Sequence, residues 1–356
     1  MKKLLLVFLL VASAFGAISG YKHFTPDGAG TKSGADWDNA YPVDSLGAVL
    51  ANMVEGTVVF IKAGSYSFTS TNITTANASD SNPNGIFGVK AATTNTGASI
   101  TASDLAVDTV DMPDIDLGSR NLALGTHSKL YCCKLRGTAS YIFYLASGGY
   151  QTVYNCVFRN SSATAANYVA TISQNSNIVK NIFISTGGCG GINGGGTARF
   201  FSNRIIGNRV TGTKGANINA HSAFVGNIIT GFHVGVNVPS GNSYPCIVNN
   251  TIYACSTGIA FAGTSQNQYR GSLIMNNLLD SCYTDGIKMG RQRDVVTFIS
   301  NHGDDARCTD MWDNVEESTI WRDYLVTTGD PKFVNPPDSL QLGSDSPARN
   351  TGIGPR

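Results

Sequence analysis

One short phrase recurs through the middle and C-terminal half of the chain: an asparagine, any residue, then two mostly apolar residues. Successive copies are 26, 22, 24, 23, 26 and 25 residues apart. The copies begin at Asn155, Asn181, Asn203, Asn227, Asn250, Asn276 and, in a degraded form, Asn301. A period in the twenties, built from short β-rich phrases without a helical stretch between them, is typical of a solenoid in which each repeat forms one coil.

Two classes of solenoid have such a period, leucine-rich repeats and parallel β-helices, and the side chains that each requires distinguish them. Leucine-rich repeats need several leucines per unit, whereas these repeats offer Val, Ile, Phe, Asn and Gly. A parallel β-helix stacks its coils about 4.8 Å apart, so equivalent residues lie on one another. We therefore predict an all-β, single-stranded parallel β-helix in which the asparagines from 155 to 276 stack in one column. The residues predicted to stack inside are Val157, Phe183, Ile205, Ile229, Ile252 and Leu278.

Both ends of the chain carry further motifs. The region Tyr21–Tyr66 combines a Gly/Asp loop, a tryptophan, a short predicted helix and a Val-Phe-Ile-x-Ala-Gly-x-Tyr strand. It resembles the opening of secreted bacterial right-handed parallel β-helix proteins of the pectate-lyase-like superfamily, and residues 329–352 resemble their closing segment. The resemblance implies a right-handed helix with an N-terminal capping element and a C-terminal closing segment. The expected divisions are 1–19 signal peptide, 20–66 cap and first coil, 67–310 coils with loop insertions, and 311–356 C-terminal cap.

The N-terminal segment has the pattern of an export signal. Met1, Lys2 and Lys3 form a basic start, an apolar run follows to Ala14, and small residues come next. The alternative is a retained N-terminal anchor. We expect a secreted or cell-surface protein, with no membrane span in the mature chain because no later apolar run is long enough.

The low content of charged residues limits the classes of binding partner that the sequence suggests. Charged residues make up 14% of the chain and the net charge is +1, against an average charged fraction of about 25%. Bulk electrostatics therefore gives no reason to expect a nucleic acid or an anionic membrane as partner.

The eight cysteines show no metal-ligand spacing. Cys255, Cys282 and Cys308 fall near equivalent positions of consecutive repeats. In an oxidising compartment, a disulfide could join neighbouring coils through 255 and 282 or through 282 and 308. The alternative is a stack of buried thiols, which pack well as small apolar groups. The sequence leaves both interpretations open.

One charged cluster stands out in this charge-poor chain. Residues 285–294 contain Lys288 and Arg291, and residues 302–307, which we expect one coil later, contain Asp304 and Asp305. The superfamily resemblance implies lyases that use a lysine or arginine base and a carboxylate-bound calcium ion. On that basis Lys288, Arg291, Asp304 and Asp305 are the candidate catalytic residues, and calcium is the candidate cofactor. The competing interpretation is a solvated turn with local ion pairs.

Two other sets of residues offer weaker signals. The acidic stretch from Asp104 to Asp116 has carboxylates that could bind calcium, but it lacks the pattern of an EF-hand. His221 and His233 have no partner at metal-ligand spacing, so we interpret them as surface residues.

These observations predict an exported β-helix that binds or cleaves a polysaccharide or cell-surface glycan, with lyase chemistry on acidic glycans as the catalytic version. The alternative is a non-catalytic surface or phage-virion protein with a structural or adhesive role, for which self-association would be natural. Whether the protein is an enzyme stays open at this point, since a fold does not determine a reaction.

Overall fold

The computed structural model describes residues 20–67, 72–219, 221–239, 244–263, 269, 271–290, 296–299, 301–303, 310–313, 321–322, 327–328, 333–335, 339–342 and 346. The chain divides into two compact units, Met1–Val157 and Phe158–Arg356. Both units consist of right-handed parallel β-helix coils. Each complete coil contributes one strand to each of three parallel sheets, called sheets I, II and III in chain order.

The first unit begins with strand β1 and helix α1 (Leu46–Ala51), which confirms the short helix expected before the first long strand. Its sheet I contains β1 (Tyr21–Phe24), β2 (Val58–Lys62), β5 (Asn84–Val89), β8 (Ser128–Tyr131) and β11 (Thr152–Tyr154). Sheet II contains β3 (Ser65–Ser67), β6 (Asp114–Asp116) and β9 (Lys134–Gly137). Sheet III contains β4 (Ile73–Thr74), β7 (Leu122–Leu124) and β10 (Phe143–Leu145).

The second unit repeats the same coil. Its sheet I contains β14 (Asn177–Val179), β17 (Arg199–Phe201), β20 (Ala223–Val225), β23 (Cys246–Val248), β26 (Ser272–Met275), β29 (Val296–Ile299) and β32 (Trp321–Arg322). Sheet II contains β12 (Val157–Asn160), β15 (Ile182–Ser185), β18 (Arg204–Ile206), β21 (Ile228–Thr230), β24 (Thr251–Tyr253), β27 (Leu278–Asp280), β30 (His302–Gly303) and β33 (Thr327–Thr328). Sheet III contains β13 (Tyr168–Ile172), β16 (Gly190–Gly194), β19 (Lys214–Ile218), β22 (Val234–Val238), β25 (Thr257–Phe261), β28 (Asp285–Met289) and β31 (Asp310–Asp313). An antiparallel pair, β34 (Phe333–Asn335) and β35 (Ser339–Leu342), follows.

A column of buried asparagines runs along the turn between sheets I and II of the second unit. The side-chain amide of each member donates to the amide oxygen of the member one coil later, at 2.9 to 3.1 Å. Its members are Asn181, Asn203, Asn227, Asn250, Asn277 and Asn301. Most of them also donate to a main-chain carbonyl, as Asn227 does to Phe200 at 3.1 Å. The side-chain amides therefore supply hydrogen-bond partners for the bent backbone at this turn.

The predicted column is one residue out of register at its two ends. Asn276 has a left-handed backbone (φ 53°) and lies just before the column, which continues through Asn277. Asn155 likewise has φ 52°, and its amide donates to the main-chain oxygen of Val107 instead. A slip of one residue moves every side chain of a strand to the opposite face. Accordingly Leu279 and Phe158 are fully buried, in place of the predicted Leu278 and Val157.

A disulfide between Cys255 and Cys282, one of the two interpretations of these cysteines, is not formed, because Cys255 is a free thiol. The expected alignment does occur: Tyr253 pairs with Asp280, which places the two cysteines at equivalent positions of adjacent coils. Stacked side chains point the same way, so their Cβ atoms keep the coil spacing of about 4.8 Å. A disulfide needs a Cβ separation nearer 3.8 Å. Cys308 lies outside the described residues.

Across the ranges that the structure describes, no helix is long and apolar enough to span a bilayer. Residues 1–19, the expected signal peptide, lie outside those ranges.

Candidate functional site

In sheet III of the second unit, two consecutive residues of a strand face the interior, and this arrangement determines which side chains lie on the outer face. In β19, Ala216 is fully buried. A Cβ atom placed on the preceding residue, Gly215, would lie 2.5 Å from Cγ2 of Ile229, so this position also faces the interior and only glycine fits. Two consecutive inward residues leave Lys214 and Asn217, three positions apart, on the outer face.

The same local arrangement recurs in five consecutive strands of sheet III. The inward glycines are Gly191, Gly215, Gly235, Gly258 and Gly286. The outer residues two positions after them are Asn193, Asn217, Asn237, Ala260 and Lys288, and they stand in register across the strands. A recurring Gly-aliphatic-Asn triplet is therefore the sequence signal for this face, and an analysis guided by charge alone misses it.

Three of these outer residues form a hydrogen-bonded amide row. Asn217 Nδ2 donates to Asn193 Oδ1 at 2.8 Å, and Asn237 Nδ2 donates to Asn217 Oδ1 at 2.6 Å. Asn193 and Asn217 are half-buried, whereas Asn237 is 4% exposed. The row holds its amides in one orientation, and its half-buried members Asn193 and Asn217 present a polar surface to solvent.

An ion pair lies two coils beyond the row. Lys288 Nζ is 3.3 Å from Asp285 Oδ2, and Thr257 Oγ1 donates to the same carboxylate oxygen at 3.2 Å. The Asp285 side chain is 7% exposed and the Lys288 side chain is 44% exposed. The buried carboxylate therefore holds a solvent-facing ammonium group in place. The i, i+3 contact is possible because Gly286 and Ile287 both face inward.

A cation and an aromatic ring flank this face, on the connections that lead from sheet II into sheet III. The guanidinium carbon of Arg209 lies 5.2 Å from the centroid of the Tyr283 ring, within cation–π range. Arg209 is exposed, and Tyr283 is 48% exposed. Together with Lys214 and Lys288, Arg209 gives the face and its flank three cationic groups in a chain whose net charge is only +1.

Of the four predicted site residues, the structure describes only Lys288; Arg291, Asp304 and Asp305 lie outside the described residues. The described part of the second segment, residues 302–303, does lie one coil later, but in sheet II, whereas Lys288 lies in sheet III. His302 is buried in sheet II, where it pairs with Leu278. The residue that pairs with Lys288 one coil later is Asp313.

Metal-binding residues do not converge in the part of the chain that the structure describes: it holds no group of three or more His, Cys, Asp or Glu side chains able to bind one ion. In the acidic stretch, Arg136 bridges Asp114 at 3.1 Å and Asp116 at 3.0 Å. Asp104 accepts from the Thr101 backbone N–H, which lowers the pKa of that exposed carboxyl. These carboxylates bind protein groups, and no calcium site is assigned to them.

Solved structures share this architecture. The pectate lyase Pel9A matches with a TM-score of 0.55, 11% identity, and coverage of 95% of this chain and 92% of that chain. The chain has the pectate-lyase-like fold. A rhamnogalacturonan lyase with this fold matches with a TM-score of 0.52 and 11% identity, covering 89% of this chain and 91% of that one. No protein-family model and no curated protein matches the sequence. At such low identity, the pectate-lyase-like likeness shows the fold alone.

Proposed function

We propose that the protein binds an extended acidic polysaccharide along the outer face of sheet III in the second unit. The observation that carries this proposal is the amide row Asn193–Asn217–Asn237 continuing into the ion-paired Lys288. The polysaccharide lyases of the same fold support a glycan as the class of ligand.

Geometry favours a polymer over a small molecule. Successive outer residues advance by the coil spacing of about 4.8 Å, which is close to the length of one pyranose unit in an extended chain. Amide side chains both donate and accept hydrogen bonds, so the half-buried Asn193 and Asn217 can contact hydroxyl groups of successive sugars. Arg209, Lys214 and Lys288 would pair with sugar carboxylates, and Tyr283 offers an exposed ring face for stacking.

Binding is better supported than cleavage. A lysine that acts as a base must be neutral, whereas a neighbouring carboxylate stabilises its charged form. Lys288 lies 3.3 Å from Asp285, so its ammonium form suits recognition of a uronate carboxylate. Lyase chemistry and a calcium requirement stay predictions that depend on Arg291, Asp304 and Asp305.

The test is a titration of the exported full chain with hexagalacturonate, polymannuronate and polyguluronate oligomers, with and without calcium. Release of unsaturated products and reducing ends is followed in the same samples. We expect Lys288→Ala to weaken binding about tenfold, because hydrogen bonds to charged groups are worth about 1.5–3 kcal/mol. Affinity should also fall as ionic strength rises.

Arg159→Ala is the matched control, since Arg159 is exposed on the outer face of sheet II and should not affect binding. Equal losses in the two variants, or absence of binding by the parent chain, would contradict the proposal. Assembly of the purified protein into particles without any glycan affinity would favour the structural alternative. Export itself is tested by sequencing the N terminus of the mature protein for cleavage near residue 19.

A further inference from the structure

A pair of stacked rings lies on the turn between sheets III and I of the first unit. His127 and Tyr150 occupy equivalent positions of adjacent coils, two residues before Lys129 and Thr152, which pair with each other. Their ring centroids are 4.9 Å apart with an interplanar angle of 15°. The two rings therefore form one stacked step at the surface.

Both residues have left-handed backbones, with φ of 51° at His127 and 65° at Tyr150; histidine tolerates this conformation, but for a residue as bulky as tyrosine it is an outlier. In the second unit, Asn175 takes the equivalent position of its coil with φ 57°, as expected for the non-glycine residue that best tolerates it. Burial does not offset the strain, because Tyr150 is 58% exposed. An exposed, strained aromatic residue is a reason to look for a ligand.

The same pair of residue types recurs in the second unit. His221 and Tyr244 lie two residues before the paired Ala223 and Cys246, again on the turn from sheet III to sheet I. Their centroids are 5.0 Å apart with an angle of 36°. A histidine and a tyrosine in ring contact at one turn position are thus a repeated feature, stacked in the first unit and tilted in the second, and the fold alone does not require them.

Polar groups suited to hydroxyls surround the pair in the first unit. Asp80 Oδ1 lies 3.8 Å from His127 Nδ1, and the Asp80 side chain is fully exposed. The Asn77 side chain lies next to this turn, because its amide oxygen accepts a hydrogen bond from the Thr126 backbone N–H at 3.0 Å. An aromatic surface edged by a carboxylate and an amide matches a pyranose ring, which has an apolar face and hydroxyls around its rim.

We infer that the His127–Tyr150 step is a second glycan-binding site, which stacks against the apolar face of one pyranose ring. The step contributes no cationic side chain comparable to those beside sheet III, so it should accept neutral as well as acidic glycans. The inference is independent of the sheet III proposal, since it rests on different residues in the other unit.

The experiment titrates the full chain with cellohexaose, xylohexaose and hexagalacturonate, and maps contacts by saturation transfer from protein to sugar. Tyr150→Asn installs the residue that occupies the equivalent position at Asn175, so the variant should fold with an unchanged thermal midpoint. We expect its affinity for the neutral oligosaccharides to fall about three- to tenfold, the range for one aromatic stacking contact. Tyr150→Phe keeps the ring and should bind like the parent.

Arg159→Ala, at an exposed residue of sheet II outside both proposed sites, is the control variant: it should leave cellohexaose and xylohexaose affinity unchanged. Parent-like neutral-glycan binding by Tyr150→Asn would overturn the inference, as would a parent chain that binds neither neutral oligosaccharide at millimolar concentration. Equal loss in Tyr150→Asn and Tyr150→Phe would also overturn it, because the phenylalanine variant keeps the ring and should therefore keep the stacking contact.

Discussion

The side-chain nitrogen of Asn250 lies 3.0 Å from the side-chain oxygen of Asn277. The main-chain N–H of Asn250 donates to that same oxygen, also at 3.0 Å. One amide oxygen therefore satisfies two buried donors of the preceding coil, which makes each asparagine of the column difficult to replace.

Asn227→Ala should destabilise the fold strongly. It removes the acceptor for the Asn203 main-chain and side-chain N–H groups and the donor to Phe200 and Asn250. Each stranded buried group costs about 1–3 kcal/mol, so we expect a loss of about 3–5 kcal/mol in urea unfolding. Asn276→Gly is the control: this residue lies outside the column with a left-handed backbone, and its change should cost less than about 1 kcal/mol. Similar losses in both variants would contradict the register.

Gly235→Ala should damage sheet III. The added Cβ would lie 2.5 Å from Cγ2 of Ile252 and 2.6 Å from the main-chain oxygen of Gly258, and the latter cannot rotate away. We expect a loss of about 1–3 kcal/mol, typical of overpacking. At Gly195 the nearest atom to a new Cβ is 3.4 Å away. Gly195→Ala should therefore be nearly neutral, and a comparable loss at both glycines in urea titrations would refute the close-packing argument.

Stability should decrease on acidification because of His23. This fully buried ring accepts from the Gly97 backbone N–H at 3.1 Å, and burial lowers its pKa below the usual 6.5. The unfolded chain then binds more protons than the folded one below pH 6.5, so the stabilisation is complete above that pH and declines as pH falls through it. Urea unfolding at stepwise pH should show a smaller decline in His23→Gln, at a cost of about 1–2 kcal/mol at neutral pH. Parallel pH profiles would exclude His23 as the source.

Cys255 should resist alkylation in the native protein. It is fully buried, and burial raises the pKa of its thiol to about 12. Cys246 is half-exposed on sheet I and should react first, more than about tenfold faster, since the thiolate is the reactive form. Mass spectrometry of iodoacetamide-treated protein before and after unfolding measures the difference. Labelling of Cys255 only after reduction would instead show a disulfide.

Most of the architecture could be predicted from one repeated phrase, because stacking forces equivalent residues of successive coils into equivalent surroundings. Asn203, Asn227 and Asn250 lie where the period places them. The prediction fails at Asn276 because Asn277 follows it directly: a pattern of asparagine before apolar residues cannot tell which of two neighbours faces inward. The backbone conformation distinguishes the two residues: Asn276 takes the left-handed position, and Asn277 is the one that faces inward.

The candidate site was harder to find from sequence. Charge density singled out Lys288 and grouped residues 285–294 with 302–307, but His302 and Gly303 lie in sheet II, whereas Lys288 lies in sheet III. Coil length varies between repeats, so equal sequence spacing does not guarantee the same sheet. The inward glycines at 215 and 235 were the better guide, because they fix which residues of each strand reach the outer face.

Each side-chain amide of the buried column from Asn181 to Asn277 donates an N–H to the asparagine of the next coil. The stack therefore has a direction that matches the order of synthesis. The asparagine of a coil that has just closed presents one unsatisfied side-chain N–H and its main-chain N–H to the segment that follows. The next asparagine oxygen satisfies both when it docks, so each coil acts as a template for its successor, and ordering can advance along the chain by zippering.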